Sequence, residues 1–529
     1  MPFPPEGTPS TWVSSARPER SLAALFLLAL VVRVGVAVRT DAIFNDGPRF
    51  LRLSELFAAG DWATALSDHY HPLYPLVTAA VSPLTGGMES AAIAVSILSG
   101  SIAVLALYAF VRWAFDARTA WIAGILLALH PYAAEFSAGV QSEGLYFAFF
   151  LSAVALLWRA LQKGRAARAL AAGALIGLAY LVRPEGLGLL AVAAVFALRR
   201  VLQGHWSLAA SGRWMAALGL ATALFAGPYL IHLRLETGQW MLTQKKSLSQ
   251  LTNLDENASK REAAAAPRTR PLLASPLPPA LLDPGPIRIG PSTAALIKLL
   301  RISQSALHLV VVALLILGLY RLRGRPGDRG LFLAAVVGLY ALVLYGLARN
   351  TGYLDRRHVL APLIPLFGYA ATGVVAVATG WLARTHRSPA TPRQLRTAVW
   401  ACLGLVAALT LPKTLSHHRE ERLATRRAAE WLAEQADLAG PVAADKSRTA
   451  WYAGSTFVRL PRAGAKATAA QLYKRGARFL IVDEEQLERL GTENPDRLRE
   501  LRRVEEAGRT AFVYQLSEAP VSRPDPKTP

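Results

Sequence analysis

Long apolar runs recur along most of this chain. Between Ser21 and Leu411 they measure about 15–23 residues each, which suits helices that cross the hydrocarbon core of a bilayer. Hydrophobic residues make up 53% of the 529 residues and charged residues only 18%, a composition that argues against a soluble core. We therefore predict an α-helical polytopic membrane protein with about eleven transmembrane helices. These helices are predicted near residues 22–38, 76–111, 119–133, 144–161, 169–182, 186–199, 214–232, 296–320, 330–348, 359–383 and 397–412.

The net charge of +22 arises from 58 basic and 36 acidic residues. In a polytopic protein such an excess collects in the cytoplasmic loops, so it does not indicate nucleic acid, and no nucleic-acid partner is predicted. With residues 1–20 on the cytoplasmic side, arginine and lysine clusters fall on the predicted inside loops. We therefore predict a multi-pass protein of the bacterial inner membrane with a cytoplasmic N-terminus. Its outer segments are then residues 39–75, 134–143, 233–295, 349–358 and everything after about residue 412.

The chain changes character after the last apolar run. Residues 413–517 alternate helical and strand-like patterns, which predicts a small extracytoplasmic α/β domain. Residues 518–529 are rich in proline and charge and are predicted to be disordered. The outer segment 233–295 is polar and then rich in proline, and it is either a disordered linker or a functional loop. The helical patterns of the C-terminal region lie near residues 419–436, 467–476 and 495–507, and the strand-like ones near 441–444, 478–482 and 510–516.

The polar loop 39–75 is the first place to look for chemistry. Asp46 stands in front of the segment 49–65, which has the pattern of an amphipathic helix suited to the headgroup layer. A carboxylate held in a partly dehydrated recess can act as a general base toward an alcohol or an amine. The alternative is that Asp46 and Gly47 simply form a turn that caps the helix.

Two histidines and a glutamate suggest a second kind of chemistry. His69 and His71 precede Pro72, which favours an extended backbone with both imidazoles on one side. Such a pair suits a divalent cation or a phosphate. Glu143 stands at the mouth of the predicted helix 144–161, where it can serve a metal or a substrate hydroxyl. An interfacial histidine cluster and an ordinary helix N-terminal charge explain the same residues equally well.

Arginines on the outer side run against the positive-inside trend and call for an explanation. Arg183 and Glu185 join two short predicted helices, and a charged hairpin between short helices implies a hydrated recess. A guanidinium is a natural partner for a lipid phosphate. The same reasoning applies to Arg356 and Arg357 in the outer loop 349–358. Snorkelling to membrane phosphates is the alternative for each of these arginines.

The order of these motifs resembles that of the bacterial polytopic glycosyltransferases that use polyprenyl-phosphate sugars. This GT-C group, of the family 39 type, includes protein O-mannosyltransferases, lipid A aminoarabinose transferases and lipopolysaccharide-core transferases. The matching pieces are an acidic first outer loop, a Ser-Glu pair, an Arg-Pro-Glu hairpin and an Arg-Arg-His motif followed by prolines. They stand at residues 45–47, 60–62 and 71–75, at 142–143, at 177–186 and at 356–365.

The resemblance implies a GT-C-like transmembrane domain over residues 21–412 and transfer of a sugar, with inversion, on the outer face of the membrane. The donor would be a polyprenyl-phosphate sugar and the acceptor an envelope lipid, glycan or protein. Asp46 would match the acid that activates the acceptor, while His71 and Glu143 would contact a divalent metal or the acceptor. Many members have an Asp-Glu pair where this chain has Asp46 and Gly47. This difference concerns the role of a second carboxylate and the dependence on a metal. The residues implied in substrate binding are His69, Arg183, Glu185, Arg356 and Arg357.

Two other functions fit part of the pattern. A transporter or lipid flippase without bond chemistry would explain the many helices, but it would place ionisable residues near the midplane. Here they concentrate at one surface. A polymerase or ligase of envelope glycans would share the outer site and differ in its acceptor.

Overall fold

The computed structural model describes residues 18–244, 291–323, 327–385, 390–460, 469–490 and 497–517. Most of the predicted cytoplasmic segment 1–20 and most of the outer segment 233–295 lie outside these ranges. The predicted disordered tail 518–529 also lies outside them.

Helices form the larger part of the molecule and coincide with the predicted apolar runs. Six of them are long and apolar enough to cross a membrane, or seven if the bent pair α12 and α13 is one span, within the described ranges. Shorter apolar helices add to the bundle, so the polytopic helical fold is confirmed. The helices of this part are α1 (Pro18–Val38), α2 (Gly47–Ala58), α3 (Trp62–Leu66), α4 (Leu73–Thr85), α5 (Met88–Ala114), α6 (Ala117–Ala128), α7 (Pro131–Glu135), α8 (Glu143–Lys163), α9 (Ala166–Val182), α10 (Gly188–Leu202), α11 (Leu208–Thr237), α12 (Pro291–Leu307), α13 (Leu309–Arg321), α14 (Gly327–Thr351), α15 (Arg356–Leu363), α16 (Phe367–Thr385) and α17 (Pro392–Thr414).

Two of the predicted apolar stretches are interrupted in the structure. The stretch near 76–111, predicted as one span with an apolar or re-entrant lead-in, divides into α4 and α5 because Gly86 ends α4 in the left-handed conformation, a common helix stop. The span near 296–320 bends by 99° between α12 and α13. The bend lies at His308, whose φ of 62° is uncommon for a residue with a side chain.

Glycines allow two pairs of helices to pack backbone against backbone. A Cβ atom at Gly318 of α13 would overlap the Tyr369 carbonyl oxygen, and one at Gly373 of α16 would overlap the Leu314 carbonyl oxygen. Between α9 and α11, the Thr222 hydroxyl donates to the Gly173 carbonyl at 3.0 Å. Small residues at such contacts allow membrane helices to approach closely, because in lipid the hydrophobic effect does not drive helices together.

The C-terminal region contains a mixed five-stranded sheet with the order β2-β1-β3-β5-β4. The two pairs that β1 forms are parallel, whereas β5 pairs antiparallel with β3 and with β4. Alternate residues of β3 enter two cores on opposite faces of the sheet, so the small α/β domain is confirmed. Its elements are α18 (Leu423–Glu434), β1 (Val442–Ala444), α19 (Ser447–Tyr452), β2 (Phe457–Arg459), α20 (Ala469–Lys474), β3 (Phe479–Asp483), α21 (Glu484–Leu490), β4 (Leu498–Glu506) and β5 (Arg509–Leu516).

The prediction of a helix near residues 495–507 is wrong, because this stretch forms strand β4. A tight turn at Ala507 and Gly508, both with positive φ, folds β4 back onto β5. Pairing along the whole hairpin then overrides the helical propensity of the charged residues in β4.

We expect Gly373→Ala to lower the thermal stability of the detergent-purified protein. The added methyl has no space against the Leu314 carbonyl, and overpacking of this kind costs about 1–3 kcal/mol. Gly380→Ala in the same helix is the matched control, because nothing lies within 4 Å of its Cβ. There alanine should be neutral or slightly stabilising. Equal melting temperatures for the two variants, measured by tryptophan fluorescence, would contradict the close contact of α13 and α16.

Candidate active site

Five of the predicted site residues form one charge network at one end of the helix bundle. Arg357 lies 2.7 Å from the Asp46 carboxylate and 3.8 Å from that of Glu143. Arg183 donates to Glu143 at 2.6 Å and lies 3.5 Å from Glu185. Glu143 is therefore shared by two guanidiniums, and the network brings together four distant segments of the chain.

The local sequence explains how three of these side chains are placed. Asp46 precedes α2 without capping it by a side-chain hydrogen bond, so its carboxylate is directed to Arg357 instead. Arg183 precedes Pro184, which disfavours helical backbone in the residue before it, and α9 ends there with Arg183 extended. At the start of α15, Asp355 and His358 form a capping box that fixes the helix end carrying Arg357.

The network is largely removed from solvent. Glu143 is 2% exposed, and the most open carboxylate of the network, that of Glu185, is only 26% exposed. Burial would raise the pKa of the Glu185 carboxyl, but the Arg183 guanidinium and local hydrogen bonds outweigh it and lower that pKa to about 2. Glu185 is therefore ionised at neutral pH.

Aromatic side chains that the sequence analysis did not single out surround the network. The Tyr70 hydroxyl donates to Asp46, and burial, followed by the Asp46 charge, raises the pKa of Tyr70, so the phenol stays a neutral donor. The Arg357 guanidinium lies 5.0 Å from the ring centre of Phe44. The Arg183 guanidinium lies 5.7 Å from the ring centre of Tyr146. Tyr70 stands between the two predicted histidines, and Tyr146 lies one helical turn after Glu143. Their closeness in sequence to predicted site residues was the signal that could have identified them.

His69 lines an open cavity of about 510 Å³ whose lining includes no residue of the network. Its ring lies 3.4 Å from Asp68, which also pairs with Arg49. The backbone amide of Tyr70 donates to Asp68 at 3.0 Å, so the cavity wall and the Asp46 partner share one short stretch of chain. The residues that line the cavity are Arg49, Arg52, Leu53, Leu56, Thr64, Ser67, Asp68, His69 and Gln244.

His71 and Glu143, the predicted metal ligands, have different surroundings. His71 is buried, with Tyr180 and Tyr229 packed edge-on at 5.1 and 5.3 Å between ring centres. Glu143 is engaged by two guanidiniums. Within the described ranges, no group of three or more His, Cys, Asp and Glu side chains could hold a metal ion. These residues therefore do not provide the donor set that a divalent cation usually requires.

Arg356 is directed away from the network, although it is the neighbour of Arg357. Its guanidinium donates to the Ser305 hydroxyl at 2.7 Å and lies 4.7 Å from the ring centre of Tyr132. Lys413 contacts the same ring and donates to the Tyr132 hydroxyl at 2.7 Å. Two cations thus meet at one aromatic side chain.

We expect Glu143→Gln to destabilise the protein by about 3 kcal/mol, because two buried guanidiniums would lose their shared counter-charge. The matched control is Glu55→Gln, which removes half of an exposed ion pair with Arg52 and should cost under about 1 kcal/mol. Melting temperatures in detergent would measure both. Equal decreases in melting temperature for the two variants would show that the buried network contributes no more to stability than the exposed ion pair.

Comparison with known proteins agrees with the motifs. A family model described as dolichyl-phosphate-mannose-protein mannosyltransferase matches residues 68–232, a region that contains Glu143, Arg183 and Glu185. Among curated proteins, none matches the sequence significantly.

Solved structures show the same fold at low sequence identity. ArnT from Cupriavidus metallidurans, bound to undecaprenyl phosphate, matches with a TM-score of 0.60 and 14% identity over 96% of this chain and 100% of its own. The Archaeoglobus fulgidus oligosaccharyltransferase in the apo form matches with a TM-score of 0.52 and 14% identity over 90% of this chain and 70% of its own. Its complex with Zn and sulfate matches with a TM-score of 0.50 and 14% identity over 88% and 68%. The resemblance to the GT-C glycosyltransferases is therefore confirmed, and the sequence match and fold together support a glycosyltransferase in a multi-pass membrane protein.

Proposed function

We propose that this GT-C protein is an inverting glycosyltransferase that moves a sugar from a polyprenyl-phosphate donor to an envelope lipid, glycan or protein. The reaction would take place on the outer face of the bacterial inner membrane, the side that the positive-inside pattern assigns to the first loop. The observation that carries the proposal is the buried charge network around Asp46 at the mouth of apolar helices. A transporter or flippase would require no such fixed carboxylate at one surface.

The donor class follows from the location of the site. A polyprenyl chain keeps its phosphate at the membrane surface while the acceptor arrives from water. The similar ArnT structure holds undecaprenyl phosphate, a lipid of this class. The polar network of this chain stands where these two reactants would meet, at the ends of α9 and α15.

Asp46 is the proposed general base. As the acceptor oxygen or nitrogen attacks the anomeric carbon, its proton passes to the Asp46 carboxylate. The bond between the anomeric carbon and the phosphate oxygen breaks, and its electron pair leaves with the polyprenyl phosphate. This single displacement inverts the anomeric centre. Tyr70 and Arg357 hold the carboxylate in place on two sides.

Arg356 and Lys413 are the proposed contacts for the donor phosphate. Within the described part of the chain they contact Tyr132 and Ser305 rather than carboxylates, so their charge is available to an anion. A charge-assisted contact with the departing phosphate would stabilise the charge that develops on it. Arg183 and Arg357, implied as phosphate ligands by the resemblance, already bind carboxylates, and we assign them mainly to holding Glu143, Glu185 and Asp46.

The cavity lined by His69 is the proposed acceptor side. It lies next to Tyr70, the partner of Asp46, and its polar and apolar lining suits a glycan or lipid headgroup. A divalent cation stays a prediction: His71 and Glu143 belong to no three-ligand group among the described residues, and the proposed step is written with the side chains of this chain alone.

We expect Asp46→Asn to lower the transfer rate by about 100-fold or more, because the amide cannot accept the proton. Asp61→Asn in the same loop is the control: Asp61 caps α3 by accepting from Thr64, and asparagine can do the same. The measurement is release of polyprenyl phosphate from radiolabelled polyprenyl-phosphate sugars by matched membranes, with envelope extract as acceptor. Equal release in wild type and Asp46→Asn would exclude Asp46 as the base.

We expect Arg356→Gln to raise the KM for the polyprenyl-phosphate sugar about 10-fold, the loss of roughly one charge-assisted hydrogen bond. Arg503→Gln, which removes an exposed arginine of the C-terminal sheet, is the control and should leave KM unchanged. Steady-state kinetics at varied donor concentration would decide. An unchanged kcat/KM for the donor in Arg356→Gln would place the donor phosphate elsewhere.

A further inference from the structure

The C-terminal domain holds the backbone of the first loop immediately before Asp46. We call residues 40–45 the clamped segment. It begins where α1 ends, with a bridge between Thr40 and His418, and the Asp41 amide donates to the His418 carbonyl at 3.0 Å. In return, the His418 amide donates to the Arg39 carbonyl at 2.9 Å. The loop and the chain that enters the C-terminal domain therefore pair like two short strands.

Side chains from the C-terminal region bind the next backbone groups in turn. Arg426 donates to the Asp41 carbonyl at 2.7 Å, and Arg419 donates to the Ala42 carbonyl at 2.9 Å. The following residue, Ile43, is held at both of its backbone groups. Buried backbone groups must find partners, and here they find them more than 370 residues later in the chain.

Ile43 is the centre of this contact. Its amide donates to the Tyr452 hydroxyl at 2.8 Å, and its carbonyl accepts from Arg448 at 3.2 Å. Ile43 is 4% exposed and Arg448 8% exposed, so both bonds are shielded from water. The cavity left beside them measures only about 10 Å³, about enough for one water molecule. This junction is therefore a packed contact and not an open ligand site.

Phe44 connects the clamped segment to the charge network. Arg357 lies 5.0 Å and Arg419 lies 5.3 Å from the centre of its ring. One of these arginines binds Asp46 and the other binds the clamped segment. Phe44 thus contacts the C-terminal region and the active site with one side chain, two residues before the proposed base.

We propose that the C-terminal domain positions Asp46 through the clamped segment, with Tyr452 and Arg448 as positioning residues. This proposal rests on the proposed transferase function and assigns the domain a role in it. Neither residue would touch the substrate. A loop that follows a transmembrane helix has few restraints of its own, and a displacement of about 1 Å can cost about 100-fold in rate. The bonds to Ile43 would prevent that displacement.

The test uses full-length Tyr452→Phe, which removes the acceptor for the Ile43 amide and keeps the ring. Tyr473→Phe, the same change elsewhere in the C-terminal domain, is the control. We expect kcat to fall about 10-fold or more in Tyr452→Phe while KM for the donor stays within about twofold, because only the base is displaced. Hydrogen exchange of the peptide that contains residues 40–46 should become faster in Tyr452→Phe and stay unchanged in Tyr473→Phe.

Arg448→Lys supplies an independent variant of the same contact, since lysine keeps the charge but not the reach of the guanidinium to the Ile43 carbonyl. It keeps the proposal testable if Tyr452→Phe does not fold, as checked by melting temperature. Wild-type kcat and unchanged exchange in a folded Tyr452→Phe or Arg448→Lys would overturn the proposal. If wild-type protein showed no transfer, the proposed function would fail instead, and the exchange experiment would still report on the clamped segment.

Discussion

A single buried carboxylate, Glu143, determines how the polar end of this helix bundle is arranged. Two guanidiniums share it, and each binds one further carboxylate: Arg183 binds Glu185 in its own hairpin and Arg357 binds Asp46 in the first loop. In a medium of low dielectric constant none of these charges is stable alone, so the start of α8, the hairpin after α9, the start of α15 and the first loop must come together. The folding of the bundle and the assembly of the site are in this sense one event.

The pairing of these charges also fixes the orientation of Asp46. Before any substrate binds, Asp46 is already oriented by Arg357 and Tyr70, and these groups need not rearrange from bulk water when charge moves during transfer. The neighbouring Arg356 has a separate environment at Tyr132. Consecutive residues at the start of one helix thus have different contacts, because they point about 100° apart around the helix axis.

Much of the fold could be predicted because hydropathy is a local signal. The helices and the C-terminal α/β domain were both legible in the sequence. The pairing of Glu143 with Arg183 and Arg357 was not, since it depends on contacts between distant segments. The bend at His308 and strand β4 were missed because a backbone conformation and a hairpin turn, rather than residue type, decided them. The separate directions of Arg356 and Arg357 required the orientation of α15.

The clamped segment also has a consequence for biosynthesis. Residues 41–43 follow the first helix, yet their hydrogen-bond partners, from His418 to Tyr452, are synthesised only after the last apolar helix α17. A nascent chain with every helix already inserted would therefore still hold this loop in an unfinished state. The geometry around Asp46 would be completed only when the C-terminal domain has folded against the first loop. Under the proposed function, the order of synthesis alone would then prevent transfer by an incomplete chain.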